Sequence, residues 1–135
     1  MHRIIIQKEK INIDEVTGSC ATDSDGALLT FVGRARNRTA DRDVTHLQYE
    51  VYGDMAFREI EKIVDEAESQ WSVTNTIVVH RYGRIEIGDT TIVIAVSSPH
   101  RDEAFKAVRY IIDTIKKTVP IWKKEYYSDH SSWVK

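Results

Sequence analysis

Ile92-Val93-Ile94-Ala95-Val96-Ser97-Ser98-Pro99-His100-Arg101 is the run that decides the fold class. Successive side chains of a strand point to opposite faces, so five apolar residues in a row need cover on both sides. Thr91 to Ser98 therefore reads as a central strand of a covered sheet. Ser98 then supplies an N-cap and Pro99 the first position of a helix. Ala104, Val108, Ile111 and Ile115 recur along one face of that helix, reinforced by Phe105 and Ile112. Pro120 cannot continue it and biases Val119 towards an extended conformation. Ile121 to Tyr127 reads as a final strand in which Lys123 points away from Trp122, and Trp122 as an apolar anchor for its backbone.

The same two periods organise the rest of the chain. Ile4 to Gln7 is a short strand, followed by a helical turn or two near Ile13 to Ala21. Gly26 to Gly33 is apolar, β-branched and closed by glycine at both ends, which predicts a strand. Arg34 to Asp43 is a polar loop with four arginines. Val44 to Tyr52 alternates, with Leu47, Tyr49 and Val51 on one face and His46, Gln48 and Glu50 on the other. Asp54 to Trp71 is a helix burying Ala56, Ile60, Ile63, Val64, Ala67 and Trp71. Thr76 to Tyr82 is a strand, and Arg84 to Asp89 a shorter one ending in a tight Gly-Asp turn. These elements predict one α+β domain over residues 1–135, with two main helices on a largely antiparallel sheet.

At 135 residues the chain is long enough to bury a real core, and 30% charged residues with 41% hydrophobic ones exclude a disordered chain. A formal net charge of −2 argues against a general nucleic-acid coat. The N-terminus has three consecutive apolar residues, too few for a signal-peptide core, and no run approaches a membrane span. The expected location is the cytoplasm. One cysteine, Cys20, excludes an internal disulfide and any multi-cysteine zinc site. No basic neighbour in sequence activates it, so it reads as a small packing residue. His46, His80, His100 and His130 show no metal-ligand spacing, and no metal or cofactor is expected.

Three basic constellations remain. Pro99-His100-Arg101 stands at a helix start, where backbone N–H groups and the dipole favour an anion. The alternative is an exposed pair without a ligand. Arg36 follows a strand end in the arginine loop and suits a phosphate oxygen, although such loops are commonly just solvated. Lys116-Lys117-Thr118-Val119-Pro120-Ile121-Trp122-Lys123-Lys124 gathers four lysines around a turn. Lys116 and Lys117 complement a helix C-terminus, whereas Lys123 and Lys124 have no such structural reason. A lysine held near other cations or against apolar surface can exchange protons near neutrality. His80 shares its strand face with Val78 and Tyr82, as a buried, hydrogen-bonded histidine would. From residues alone the site is a basic, metal-free anion pocket.

The order and spacing of these residues resemble one family, the large, catalytic subunit of molybdopterin synthase. The resemblance runs from Gly26-Ala27, Phe31-Val32-Gly33 and Arg36-Asn37 through Leu47-x-Tyr49-Glu50-x-Tyr52-x-x-Met55-Ala56. It continues in His80-Arg81-x-Gly83, Gly88-Asp89, Pro99-His100-Arg101-x-x-Ala104-Phe105, Ile112-Asp113-x-x-Lys116 and Pro120-Ile121-Trp122-Lys123-Lys124-Glu125. It implies an α/β-hammerhead-like fold and a sulfurtransferase that converts cyclic pyranopterin monophosphate to molybdopterin. The sulfur would come from the C-terminal thiocarboxylate of a small ubiquitin-like partner subunit. By the same resemblance Lys116 and Lys123 are catalytic, and Arg36, His100, Arg101 and Phe31 hold the pterin and its phosphate. It further implies a homodimer within a heterotetramer, with pocket residues drawn from both large subunits. Lys135 stands where longer relatives continue into a basic tail, and His130 where many have glycine. The competing reading is a non-catalytic module that binds RNA or another polyanion through the arginine loop and lysine cluster.

Overall fold

The computed structural model describes residues 1–128 and the strand Ser131–Val134, so His130 and Lys135 lie outside the described residues. The chain runs β1 (His2–Gln7), α1 (Ile13–Gly18), β2 (Ala27–Arg34), β3 (Arg38–Thr39), β4 (Arg42–Val51), α2 (Gly53–Gln70) and β5 (Asn75–Arg81). It continues through β6 (Gly83–Glu86), β7 (Thr90–Ser98), α3 (Arg101–Thr118), β8 (Ile121–Tyr127) and β9 (Ser131–Val134). The α+β class and the two long helices are as the sequence predicts. The strands form two sheets rather than one.

The first sheet has the order β1-β5-β7-β2, with β1 parallel to β5 and the other pairs antiparallel. Strand β7 is buried from Thr91 through Ser98, and its alternation divides the core. Ile92, Ile94 and Val96 join Val78 and Ile4 beneath α2 and α3, where Ile60, Val64, Ile111 and Ile115 close the layer. Val93 and Ala95 face the other way and meet Ile77, Val79, Val16 and Cys20. Cys20 is fully buried, and burial pushes its thiol up, in keeping with a packing role. Burying one Ile or Val side chain is worth about 1.5–3 kcal/mol, so this two-sided strand is the main hydrophobic investment of the fold.

The second sheet is antiparallel, with the order β3-β4-β8-β9 and β6 also paired to β4. Its small core is Ala35, Val44, Leu47 and Ile85. The arginine loop is not a plain loop. Its tip is a tight hairpin turn in which Ala40 and Asp41 both have positive φ, 46° and 69°, between the paired Thr39 and Arg42.

Three local expectations are corrected. The N-cap of α3 is His100, in an extended conformation, not Ser98. Ser98 is still paired to Ala27 in β7, and its hydroxyl donates to the His100 carbonyl at 2.8 Å while accepting the His100 N–H at 3.3 Å. Phe105 is 59% exposed, because the buried seam of α3 runs through Ala104, Ala107, Val108, Ile111 and Ile115 and leaves it at the margin. Trp122 is exposed on the face of β8 opposite Lys123, and the turn is anchored by the buried Val119.

Candidate active site

Where the two sheets meet, β2, β4, β5, β7, β8 and the C-terminal end of α3 enclose a pocket of about 420 Å³. Period two explains its floor. In the β4–β8 pairing Leu47 faces Glu125, Tyr49 faces Lys123 and Val51 faces Ile121, so these side chains share one side. All but Val51 line the pocket. Lys116 enters from the last turn of α3. The chain then reverses at Pro120, with the Ile121 N–H donating to the Val119 carbonyl at 2.8 Å. That reversal returns β8 along β4 and sets Lys123 against the same space.

Phe31, Arg36, Lys116 and Lys123 thus line a single pocket. Gly33 lies beside them for a steric reason, since a Cβ there would fall 2.7 Å from Ile92 Cγ2 and 3.1 Å from Thr91 Oγ1. The four arginines of the former loop separate by role. Arg34 donates to the Gly88 carbonyl, Arg38 pairs with Asp43 at 3.0 Å, and Arg42 lies 3.7 Å from the centroid of the Tyr127 ring. Arg36 has no hydrogen-bond or ion-pair partner among the described residues, and it reaches the pocket.

His100 and Arg101 are elsewhere. They line a shallow recess with Gly26, Pro99, Asp102 and Phe105 at the opposite end of α3. Sixteen residues of helix separate His100 from Lys116, roughly 24 Å at 1.5 Å per residue. Within one chain these two residues do not join the lysines.

The electrostatics mark Lys123. Half-burial depresses its pKa, Glu125 opposes that shift, and the Lys116 and Arg36 charges lower it further. Glu125 is buried, accepting the Thr39 hydroxyl at 2.6 Å and the Tyr127 hydroxyl at 3.1 Å. Removal from water favours the neutral amine, so Lys123 suits proton exchange better than an exposed lysine does.

Glu125, Tyr49, Thr91 and His80 also line the pocket, although the sequence did not single them out for it. Glu125 was accessible by rule, being two residues beyond Lys123 on a strand. His80 is buried as expected, but the face it shares with Val78 ends at the pocket. Among the described residues, the side chains that could hold a metal converge at His2, Asp65 and Glu68, away from this pocket. No helix among the described residues is long and apolar enough to cross a membrane.

The family model described as "MoaE protein" matches residues 6–118. The molybdopterin synthase catalytic subunit of Taeniopygia guttata is 43% identical over 131 residues, covering 96% of this chain and 84% of that protein. That of Bacillus subtilis is 39% identical over 134 residues, with 99% and 85% coverage. The crystal structure of molybdopterin synthase from Staphylococcus aureus superposes with a TM-score of 0.90 at 39% identity, covering 98% of this chain and 96% of the other. Matched in fold and along nearly its whole length, the chain belongs to the MoaE family, the catalytic subunits of molybdopterin synthase, and is an enzyme of molybdopterin biosynthesis.

Proposed function

We propose that the pocket is a sulfur-transfer site, in which two sulfurs are installed on cyclic pyranopterin monophosphate to form the dithiolene of molybdopterin. The observation that carries this reading is the convergence of Lys116, Lys123, Arg36 and Phe31 on one pocket in which Lys123 is held below the ordinary lysine range. The only cysteine is fully buried and does not line the pocket, so the sulfur arrives from outside. Its carrier is the C-terminal thiocarboxylate of a small ubiquitin-like partner. At each of two substrate carbons a carbon–sulfur bond forms while a carbon–oxygen bond breaks, the oxygen leaving as water or on the released end of the phosphate ester. Water then cleaves the bond between that sulfur and the tail's carbonyl carbon, leaving each spent tail as a carboxylate. Lys116 polarises the reacting oxygen, and Lys123 accepts and returns the protons of each step. Phe31 lies against the pterin ring, and Arg36 takes phosphate oxygens through its guanidinium fork.

His100 and Arg101 belong to the same site through a second copy of the chain. The apolar surface beside the pocket, formed by Leu29, Phe31, Trp71, Phe105 and Val108, supports pairing on this side, with Phe31 and Lys116 shared between the two concavities. The second copy presents the N-terminal end of its α3 to the phosphate.

The test is reconstitution. Purified chain, thiocarboxylated partner and cyclic pyranopterin monophosphate should yield molybdopterin. Lys116→Ala should lower turnover by at least 10²-fold, the ordinary contribution of a positioned acid or base, with the melting temperature preserved. Full turnover by that variant would remove Lys116 from the mechanism.

A further inference from the structure

Among the described residues His80 is the one histidine that lines the lysine pocket, and none of the roles above uses it. It sits on β5, paired with Ile92 of β7 and Ile6 of β1, and only 5% of it is exposed. Its Nδ1 lies 2.6 Å from the Arg81 carbonyl oxygen. A carbonyl oxygen only accepts, so Nδ1 carries the hydrogen and Nε2 is left with a bare lone pair. The Tyr49 ring meets the imidazole edge-on at 5.3 Å, which fixes its plane. Burial, against the opposing pull of the Arg81 carbonyl and with help from the Lys116 charge, pushes the ring down to about 4, so it is neutral at physiological pH. Among the described residues, the one sealed side-chain nitrogen or oxygen without a hydrogen-bond partner is Arg81 Nη1. His80 Nε2 has no hydrogen bond and is not sealed, so it opens on the pocket.

The pocket is rich in donors and poor in acceptors. Among the described residues that line it, Arg34, Arg36 and Lys116 donate, and Lys123 is taken up by proton exchange. Glu125 already accepts from Thr39 and Tyr127, and the Tyr49 and Thr91 hydroxyls can donate as readily as accept. A reduced pterin brings ring N–H groups that need acceptors, and a buried donor left unmatched costs about 1–3 kcal/mol. We propose that His80 Nε2 accepts a hydrogen bond from a ring N–H of the bound pterin, making His80 a substrate-positioning and specificity residue. This rests on the sulfur-transfer reading and deepens it. A neutral acceptor with a fixed tautomer discriminates for an N–H against an oxygen or unprotonated nitrogen at the same position.

Two substitutions separate this role from a structural one. His80→Asn places an amide where Nδ1 stood, keeping the donor to the Arg81 carbonyl and losing the acceptor at the Nε2 position. His80→Gln does the reverse. Each is assembled with the small partner, and the Kd of cyclic pyranopterin monophosphate is measured alongside KM and kcat. The proposal expects Asn to weaken substrate binding about tenfold, as the loss of one hydrogen bond does, and Gln to weaken it less than threefold. The opposite ranking, or a fall in kcat with Kd and KM unchanged in His80→Asn, would overturn it. A measurement on the unaltered protein guards against misfolding of either variant. The ¹⁵N resonance of the unprotonated Nε2 should move upfield when substrate is added, and an unmoved resonance in the saturated complex rejects the contact. Failure of the unaltered assembly to bind the pterin at all would instead reject the sulfur-transfer reading itself.

Discussion

Lys123 gives the site its most direct physical signature, because its proton affinity is set by neighbours that can be removed singly. Burial lowers its pKa first, Glu125 opposes, and the Lys116 and Arg36 charges lower it further. Deleting the Lys116 charge therefore relieves a repulsion, and Lys123 should titrate at higher pH in Lys116→Met than in the parent chain. The ¹³C resonance of reductively methylated Lys123, followed against pH, reads this without any turnover. A midpoint that stays or falls would mean that the two ammonium groups do not share the pocket. The same logic explains why four lysines close in sequence are unequal. Lys116 and Lys123 line the pocket, Lys117 is exposed in the last turn of α3, and Lys124 stands over the Tyr126 ring on the other face of β8. From sequence, helix and strand periods could separate Lys123 from Lys124. They could not say that the apolar face of Leu47 and Tyr49 would be the one to meet it.

At the scale of elements, the β3–β4 hairpin and the β1–α2 contact each carry a measurable strain or charge. A two-residue turn with both φ positive is the type that suits twisted strands, and glycine or asparagine fills it best. Ala40 adopts φ 46° there at a steric cost of about 1–2 kcal/mol. Ala40→Gly should stabilise the fold by about 0.5–1 kcal/mol, the flexibility of glycine in the unfolded chain offsetting the rest. Its denaturant midpoint should rise with an unchanged slope. Because Thr39 of this hairpin donates to Glu125, the firmer turn also steadies the pocket. On β1, His2 places Nε2 at 3.2 Å from Glu61 and Nδ1 at 3.3 Å from Glu68 and 3.4 Å from Asp65. Burial disfavours its charge, but those acids of α2 outweigh burial and raise its pKa above 6.5. The folded state then holds the proton more tightly than the unfolded one. The resulting stability is complete below 6.5 and disappears as pH rises through the raised value. Parent and His2→Gln should therefore differ in urea midpoint in mild acid and converge in alkali. A gap that widens with pH would contradict the assignment. β7 and α3 were legible because each follows a single period over many residues. The cap of α3 was not, since pairing to Ala27 kept Ser98 in the strand.

For the whole molecule, the decisive feature is a seam. Each sheet has its own core, and the lysine pocket opens where they meet, so neither sheet alone contains it. That division was not legible, because β4 acquires its partners β6 and β8 through long-range pairing that no local pattern encodes. The basic residues were legible as types, but their grouping was not, for α3 holds His100 and Arg101 about 24 Å from Lys116. This separation makes a composite site testable. If each site takes Lys116 from one copy and Arg101 from its partner, Lys116→Ala and Arg101→Ala are both nearly inactive as homodimers. In a mixed dimer, the copy carrying Arg101→Ala keeps its lysine and receives an intact arginine from its neighbour. The other site of that dimer lacks both. Random reassortment puts half of all dimers in the mixed form, each with one working site of two, which restores about a quarter of the parent turnover through two-fold symmetry alone. Mixing after mild dissociation and reassembly, with molybdopterin formation as the readout, measures that fraction. A site complete within one chain predicts no recovery at all, since every chain in the mixture would carry a broken site.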